Sequence, residues 1–249
     1  MPSAGEAKPA GGTRRVRAVA LVLLMLGGPD LARAQSERDQ STTVSAWTFD
    51  RDPSGGLPRG WEGSGGVAGS VYSIERERDG NAYLKASSHD DGVQLGVEVQ
   101  ADARNGLTLS WRWRVWDLPV GGDERRVETM DSAAAVYVVF GSRVLPRVIK
   151  YVWSTTVPAG TVLRHPRSGR MAIVVIASGA ERLGDWRVVR RDLTEDYRRL
   201  FGGEPGRLRA VGVKSDSDST SGAASADFDD FQLLHSQLRE PSGQGVQRH

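Results

Sequence analysis

Between Leu107 and Trp116 the chain alternates without a break. Leu107, Leu109, Trp111, Trp113 and Val115 share one parity, and Thr108, Ser110, Arg112, Arg114 and Trp116 share the other. A period of two sustained over this length predicts a half-buried antiparallel strand with an apolar face and a polar, arginine-bearing face. Weaker alternation marks Val44–Asp50, Val71–Glu77, Ala82–Ser87 and Val93–Val99. Asp79-Gly80-Asn81 between the second and third of these is turn chemistry and predicts a hairpin. Further runs follow at Ala133–Phe140, Arg147–Trp153, Met171–Ala177, Trp186–Arg191, Leu208–Lys214 and Phe228–Leu234. Met171–Ala177 is nearly all apolar and reads as a central strand.

One segment breaks this pattern. Thr194–Phe201 begins with a capping residue, places Glu195 and Asp196 in a first turn and Arg198 and Arg199 in a last turn, and is followed by Gly202. Those are helix start and stop signals. About ten short strands with one short helix predict an all-β fold, a jelly-roll-like antiparallel β-sandwich, with a closed barrel as the alternative.

The start of the chain has a different character. Three arginines within Thr13–Arg17 precede an apolar run, Ala18–Leu26, and Ala32-Arg33-Ala34 offers a small-residue cleavage site before Gln35. This order predicts a secretory signal peptide over 1–34. The apolar run is too short to span a bilayer, which takes roughly 20 apolar residues. Residues 35–43 are polar and expected to form a disordered linker, 44–234 a single β-sandwich domain, and 235–249 a disordered tail. No second hydrophobic stretch follows, so no transmembrane segment is expected after cleavage, and the destination is periplasmic or secreted.

Charge and composition narrow the functional classes. The chain carries 33 Lys+Arg and 31 Asp+Glu. Five of the former (Lys8, Arg14, Arg15, Arg17, Arg33) and two of the latter (Glu6, Asp30) lie in the leader, which leaves 28 against 29. The arginines are scattered and interleave with no aromatic patch, so nucleic acid is not an expected partner. The absence of cysteine excludes disulfides, thiol catalysis and thiolate metal sites.

Two constellations could carry chemistry. Asp216, Asp218, Asp227, Asp229 and Asp230 cluster around a polar loop joining two strand-like runs. Hard carboxylate oxygens are what Ca2+ selects, so these five are candidate calcium ligands if the loop folds back like a hairpin. The spacing is not that of an EF-hand, which needs a glycine at its sixth place and a glutamate at its twelfth, and counted from Asp216 those places hold Ser221 and Asp227. The second constellation is aromatic. There are seven tryptophans. Trp116 shares its parity with Arg112 and Arg114, and Trp153 shares a face with Tyr151. Flat rings beside arginine and acids suit sugar recognition, making Arg112, Arg114, Trp116, Asp131, Tyr151 and Trp153 candidate ligand-binding residues. Catalytic motifs are thin. No G-x-S-x-G, P-loop or H-E-x-x-H occurs, and the four histidines have no ligand-spaced partners. Paired carboxylates drawn from Asp131, Asp192, Glu195 and Asp196 could serve glycoside cleavage, although Glu195 and Asp196 are already explained as helix N-terminal charges.

Several segments together resemble the domain-of-unknown-function family 3047 (DUF3047) of exported bacterial proteins. They are Trp111-Arg-Trp-Arg-Val115, Asp131-Ser-Ala-Ala-Ala135 with Val136–Phe140, Tyr151-Val-Trp-Ser154, Trp186 with Arg190-Arg-Asp192, Asp196–Gly202 and Val211–Asp218. The family pattern favours Asp-Asp where this chain has Asp131-Ser132, Arg-Asn at Arg191-Asp192, and Asp-Thr-Asp at Asp216–Asp218. The resemblance implies export and a common fold, and it implies no activity. The expectation is a non-catalytic β-sandwich that binds a polysaccharide or cell-envelope glycan. The alternatives are a carbohydrate-active hydrolase or lyase on the same fold, and an envelope scaffold.

Overall fold

The computed structural model describes residues 41–63 and 67–236. They form two sheets. The strands are β1 (Ser41–Trp47), β2 (Trp61–Gly63), β3 (Tyr72–Arg76), β4 (Ala82–His89), β5 (Gln94–Asp102), β6 (Leu107–Asp117), β7 (Ala134–Gly141), β8 (Pro146–Ser154), β9 (Val162–His165), β10 (Ser168–Ser178), β11 (Arg187–Asp192), β12 (Arg207–Lys214) and β13 (Ala223–Ser236). The six-stranded sheet runs β11-β6-β13-β4-β3, and β1 pairs with the second half of β13. The seven-stranded sheet runs β2-β5-β12-β7-β8-β10-β9. All-β architecture in two layers is as the alternation predicted. One pair departs from the antiparallel expectation: β8 and β10 run parallel, because β10 inserts between β8 and β9.

The core lies between the sheets. Leu107, Leu109, Trp111, Trp113 and Val115 are all buried, which is the apolar parity of β6. Trp111 and Trp113 reach across to Tyr151 and Trp153 of β8, with ring centroids 5.6 Å and 6.3 Å apart. Edge-on and tilted aromatic pairs of this kind each contribute about 0.5–1.5 kcal/mol beyond the area they bury. The two candidate ligand-binding residues Tyr151 and Trp153 are therefore corrected to core residues. Their shared parity is real, but it is the inward one. The Tyr151 hydroxyl donates to Asp196 Oδ2 at 2.8 Å, and the Trp153 indole donates to the Gly179 carbonyl at 3.0 Å.

A bulge in β13 decides which aspartates face out. Pairing with β6 slips between Asp229 and Gln232, and Asp230 takes a φ of 51°. Phe228 and Phe231 both point inward, three residues apart, because the extra residue resets the alternation. Asp227 precedes the bulge on the outer face, and both Asp229 and Asp230 reach Arg112 from it.

The helix predicted from Thr194 begins one residue earlier. It spans Leu193–Phe201 (α2), after a one-turn α1 at Ala68–Val71. Its N-cap is Asp192, which accepts from the Glu195 amide at 2.9 Å. Thr194 instead turns inward, donating to the Ala103 carbonyl and accepting from the Leu107 amide. Gly202 follows the helix with a φ of 70°. The sequence reading also missed two short edge strands, β2 and β9. Of the linker predicted over 35–43, Ser41–Thr43 belong to β1, and of the tail predicted from 235, His235 and Ser236 belong to β13. The predicted signal peptide lies outside the described residues. Among the described residues no helix is long and apolar enough to cross a membrane.

Candidate functional site

The outer face of the six-stranded sheet carries a layer of alternating rings and charges. Arg112, Arg114 and Trp116 project from β6 with the polar parity. Arg114 stacks over Trp186, Tyr83 and Trp116 at 4.3, 4.9 and 4.9 Å from their ring centroids. Its Nε donates to Asp227 Oδ2 and its Nη1 to Glu77 Oε1, each at 2.7 Å. Asp227 Oδ2 also accepts from the Trp116 indole at 2.7 Å, and Glu77 Oε1 from the Trp186 indole at 3.1 Å. Arg112 lies 4.5 Å over Trp186, donates to Asn81 Oδ1 (2.9 Å) and Asp229 Oδ2 (2.6 Å), and pairs with Asp230 at 3.0 Å. Burial raises the Asp227 carboxyl against the pull of Trp116 and Arg114. Asp229 is pushed up to about 6 by burial, with Arg112 and Asn81 pulling the other way.

This layer fixes Trp116. The ring is 47% exposed, yet its nitrogen is bonded and it stacks on Arg114. Beside it opens a cleft of about 430 Å³ lined by Tyr83, Lys85, Ser87, Trp116, Asp117 and Ser225. The cleft combines aromatic walls with a cation, a hydroxyl pair and an acid, and Ser225 Oγ donates to Asp117 Oδ2 at 2.6 Å.

The five aspartates do not converge. Strands β12 and β13 lie in different sheets, so the loop between them is a crossover and not a hairpin. Asp227, Asp229 and Asp230 are thereby assigned to the arginines of β6, and their part in a calcium cage is corrected on that ground. Asp216 and Asp218 instead meet Asp131, with one carboxylate oxygen of each lying within 4.8 Å of the others. Asp131, a candidate ligand contact in the sequence, anchors the loop from below. It accepts from the Ser219 amide (3.2 Å) and from the amide and hydroxyl of Thr220 (2.7 Å each). Asp216 Oδ1 is buried and unpartnered, whereas its Oδ2 accepts from Lys214 Nζ at 2.6 Å. A side chain at Gly92 would collide with this cluster. A Cβ there would sit 2.4 Å from Asp218 Oδ2, 2.6 Å from Asp216 Oδ1 and 2.8 Å from Lys214 Nζ. Lys214 Nζ thus stands beside Asp216 and Asp218 as an ammonium already paired with Asp216. Burial pushes the Asp216 carboxyl up to about 6, with Lys150 and Lys214 opposing.

The same cluster borders a second pocket of about 260 Å³ on the outer face of the seven-stranded sheet, lined among others by Tyr137, Lys150, His165, Arg167, Lys214 and Asp216. Sequence reasoning passed over Lys150 and Tyr137. The signal was present: Lys150 is a lone charge inside the apolar run Val148–Val152. Of the proposed carboxylates for glycoside cleavage, Asp192 caps α2, Glu195 lies exposed in its first turn, and Asp196 is buried against Arg191, Tyr151 and Arg199.

A family model described as "Protein of unknown function (DUF3047)" matches residues 59–232. No curated protein sequence matches the chain. Solved structures similar to it include TmCBM61 in complex with β-1,4-galactotriose, at 11% identity and a TM-score of 0.37 over 76% of this chain and 99% of that one. Others are the Emp47p carbohydrate recognition domain (12%, TM-score 0.45, 79% and 97%) and the K1 cleaved adhesin domain of Lys-gingipain from Porphyromonas gingivalis W83 (12%, TM-score 0.38, 77% and 98%). Likeness at this level carries no argument about a ligand.

Proposed function

The chain belongs to the DUF3047 family, and from the geometry of its six-stranded sheet we propose that it is an exported, non-catalytic glycan-binding module. The observation that carries this reading is Trp116, an exposed ring held rigid at the wall of a polar cleft. Sugars present an apolar ring face edged with hydroxyls. A fixed indole offers the complementary surface without an ordering cost on binding. Lys85, Asp117 and Ser225 supply donors and acceptors around it. Arg112 and Arg114 support the site from behind, since their guanidinium groups are already committed to Asp227, Asp229, Asp230 and Glu77.

The test is a glycan array followed by titration calorimetry on the best ligand, with wild type and Trp116→Ala. Binding is expected to weaken at least about tenfold in the variant, the loss of a hot-spot contact of more than 1 kcal/mol. The thermal melt should move little, because Trp116 is outside the core. Bound oligosaccharide should be recovered intact. Retained affinity in Trp116→Ala, or cleavage of the bound chain, would overturn the proposal.

A further inference from the structure

We propose that the second pocket, on the outer face of the seven-stranded sheet, binds the carboxylate of an acidic sugar, a hexuronate unit. Lys150 carries the argument. It is 3% exposed, and its ammonium makes one hydrogen bond among the described residues, a long one of 3.4 Å to Ser132 Oγ, and no ion pair. A charge so deeply buried is costly unless an anion meets it. Ser132 is neutral: its hydroxyl accepts from Lys150 and passes its own proton to the buried Glu124 at 2.8 Å. The Asp216 carboxylate feels the Lys150 charge but makes no ion pair with it among the described residues. The Tyr137 hydroxyl also has no hydrogen-bond partner among the described residues, and its ring lies 5.7 Å from Lys150 Nζ. His165 Nδ1 accepts from the Arg167 amide at 3.2 Å, which leaves the ring proton on Nε2 and makes the imidazole a donor. Arg167 stands exposed at the rim.

The pocket lining thus offers donors (an ammonium, a phenol, an imidazole N–H and a guanidinium) together with an acceptor, Asp216 Oδ1, which is buried and has no hydrogen-bond partner among the described residues, and with Asp218, which is exposed. Lys214 is held by Asp216 Oδ2. A ligand that satisfies both kinds of group carries an anion and hydroxyl donors. A hexuronate does so, with its planar carboxylate toward Lys150 and Tyr137 and its ring hydroxyls toward Asp216. The volume, about 260 Å³, lies below the range of drug-sized sites and suits a single ring. This reading does not depend on the Trp116 cleft.

The experiment is calorimetric titration of the whole chain with D-glucuronate, D-galacturonate, an oligouronate, and D-glucose and D-galactose as neutral counterparts. The acidic ligands are expected to show binding that Lys150→Met removes, whereas any binding of the neutral ones at the Trp116 cleft should be indifferent to that substitution. Lys150→Met should weaken hexuronate binding about 30-fold or more, the effect of removing one partner of a buried charge pair. A thermal melt of the same variant checks that it is folded. Tyr137→Phe should weaken binding less. Binding by the oligouronate alone would still place the carboxylate here if Lys150→Met abolishes it. Equal dependence of acidic and neutral binding on Lys150, no binding of any acidic ligand, or full binding by a folded Lys150→Met would overturn the proposal.

Discussion

Asp229 shows what a buried carboxylate does in this protein. Its side chain is fully inaccessible, and it accepts from Arg112, Asn81 and the Asp230 amide. Burial still dominates and pushes the carboxyl up to about 6, from 3.8 for a free aspartate. As the pH falls the folded protein takes up this proton before the unfolded chain does. The associated stability is fully present below about 3.8 and is lost as the pH rises through about 6. Wild type should therefore gain stability relative to Asp229→Asn between pH 7 and pH 4.5, by on the order of 2 kcal/mol in urea denaturation. A difference between the two proteins that stays flat across that window would mean that Arg112 keeps Asp229 ionised, against this account. Single residues were unevenly legible. Trp111 and Trp113 could be assigned to the core from parity alone. Parity could not tell which face of β8 held Tyr151 and Trp153, because that strand is apolar on both sides and the inward face is set by its partner sheet.

Elements were more legible than single roles, and the exceptions have physical causes. Long alternating strands declared themselves. Edge strands β2 and β9 have three and four residues, too short for a period of two to emerge. The β13 bulge is written in Asp227-Phe-Asp-Asp-Phe231, where two phenylalanines stand three apart and cannot share a face of a regular strand. The residue that absorbs the slip is Asp230, at a φ of 51°. Aspartate tolerates this left-handed conformation and a β-branched residue does not. Asp230→Val should destabilise by about 1–2 kcal/mol through backbone strain, whereas Asp230→Gly should cost little or stabilise, even though both lose the pairing with Arg112. Chemical denaturation of the two variants separates strain from charge. Equal losses in both would assign the effect to Arg112 and remove the bulge from the explanation.

At the scale of the molecule, the crossover from β12 to β13 sorts the acids. A loop that changes sheets delivers Asp216 and Asp218 to one face of the sandwich and Asp227, Asp229 and Asp230 to the other. Sequence proximity suggested one cage, and topology, which no local pattern encodes, makes two sites. On the seven-stranded side Asp131, Asp216 and Asp218 approach one another, and Asp216 and Asp218 also border a notch that only glycine at position 92 leaves open. Such a set attracts a cation; Lys214 Nζ, 2.6 Å from Asp216, is already paired with it, and Lys150 acts on the same carboxylate. Calcium would need six to eight oxygens and would have to expel that ammonium. The melting temperature of wild type is therefore expected to be the same in chelator and in millimolar CaCl2. Lys214→Ala removes the resident charge and leaves the acids in place, so this variant should acquire a calcium-dependent melt. At calcium concentrations about 100 times the dissociation constant, a ligand specific for the native state contributes about 2.7 kcal/mol, or roughly 5–10 °C for a domain of this size. Adding Asp218→Asn, at an exposed position that leaves the core intact, should abolish the gain. A wild-type melt that drops on chelation would show that a metal displaces the lysine, and the notch would then be a metal site in the native protein. A Lys214→Ala variant that folds but ignores calcium would show that the three acids are held by their hydrogen bonds alone.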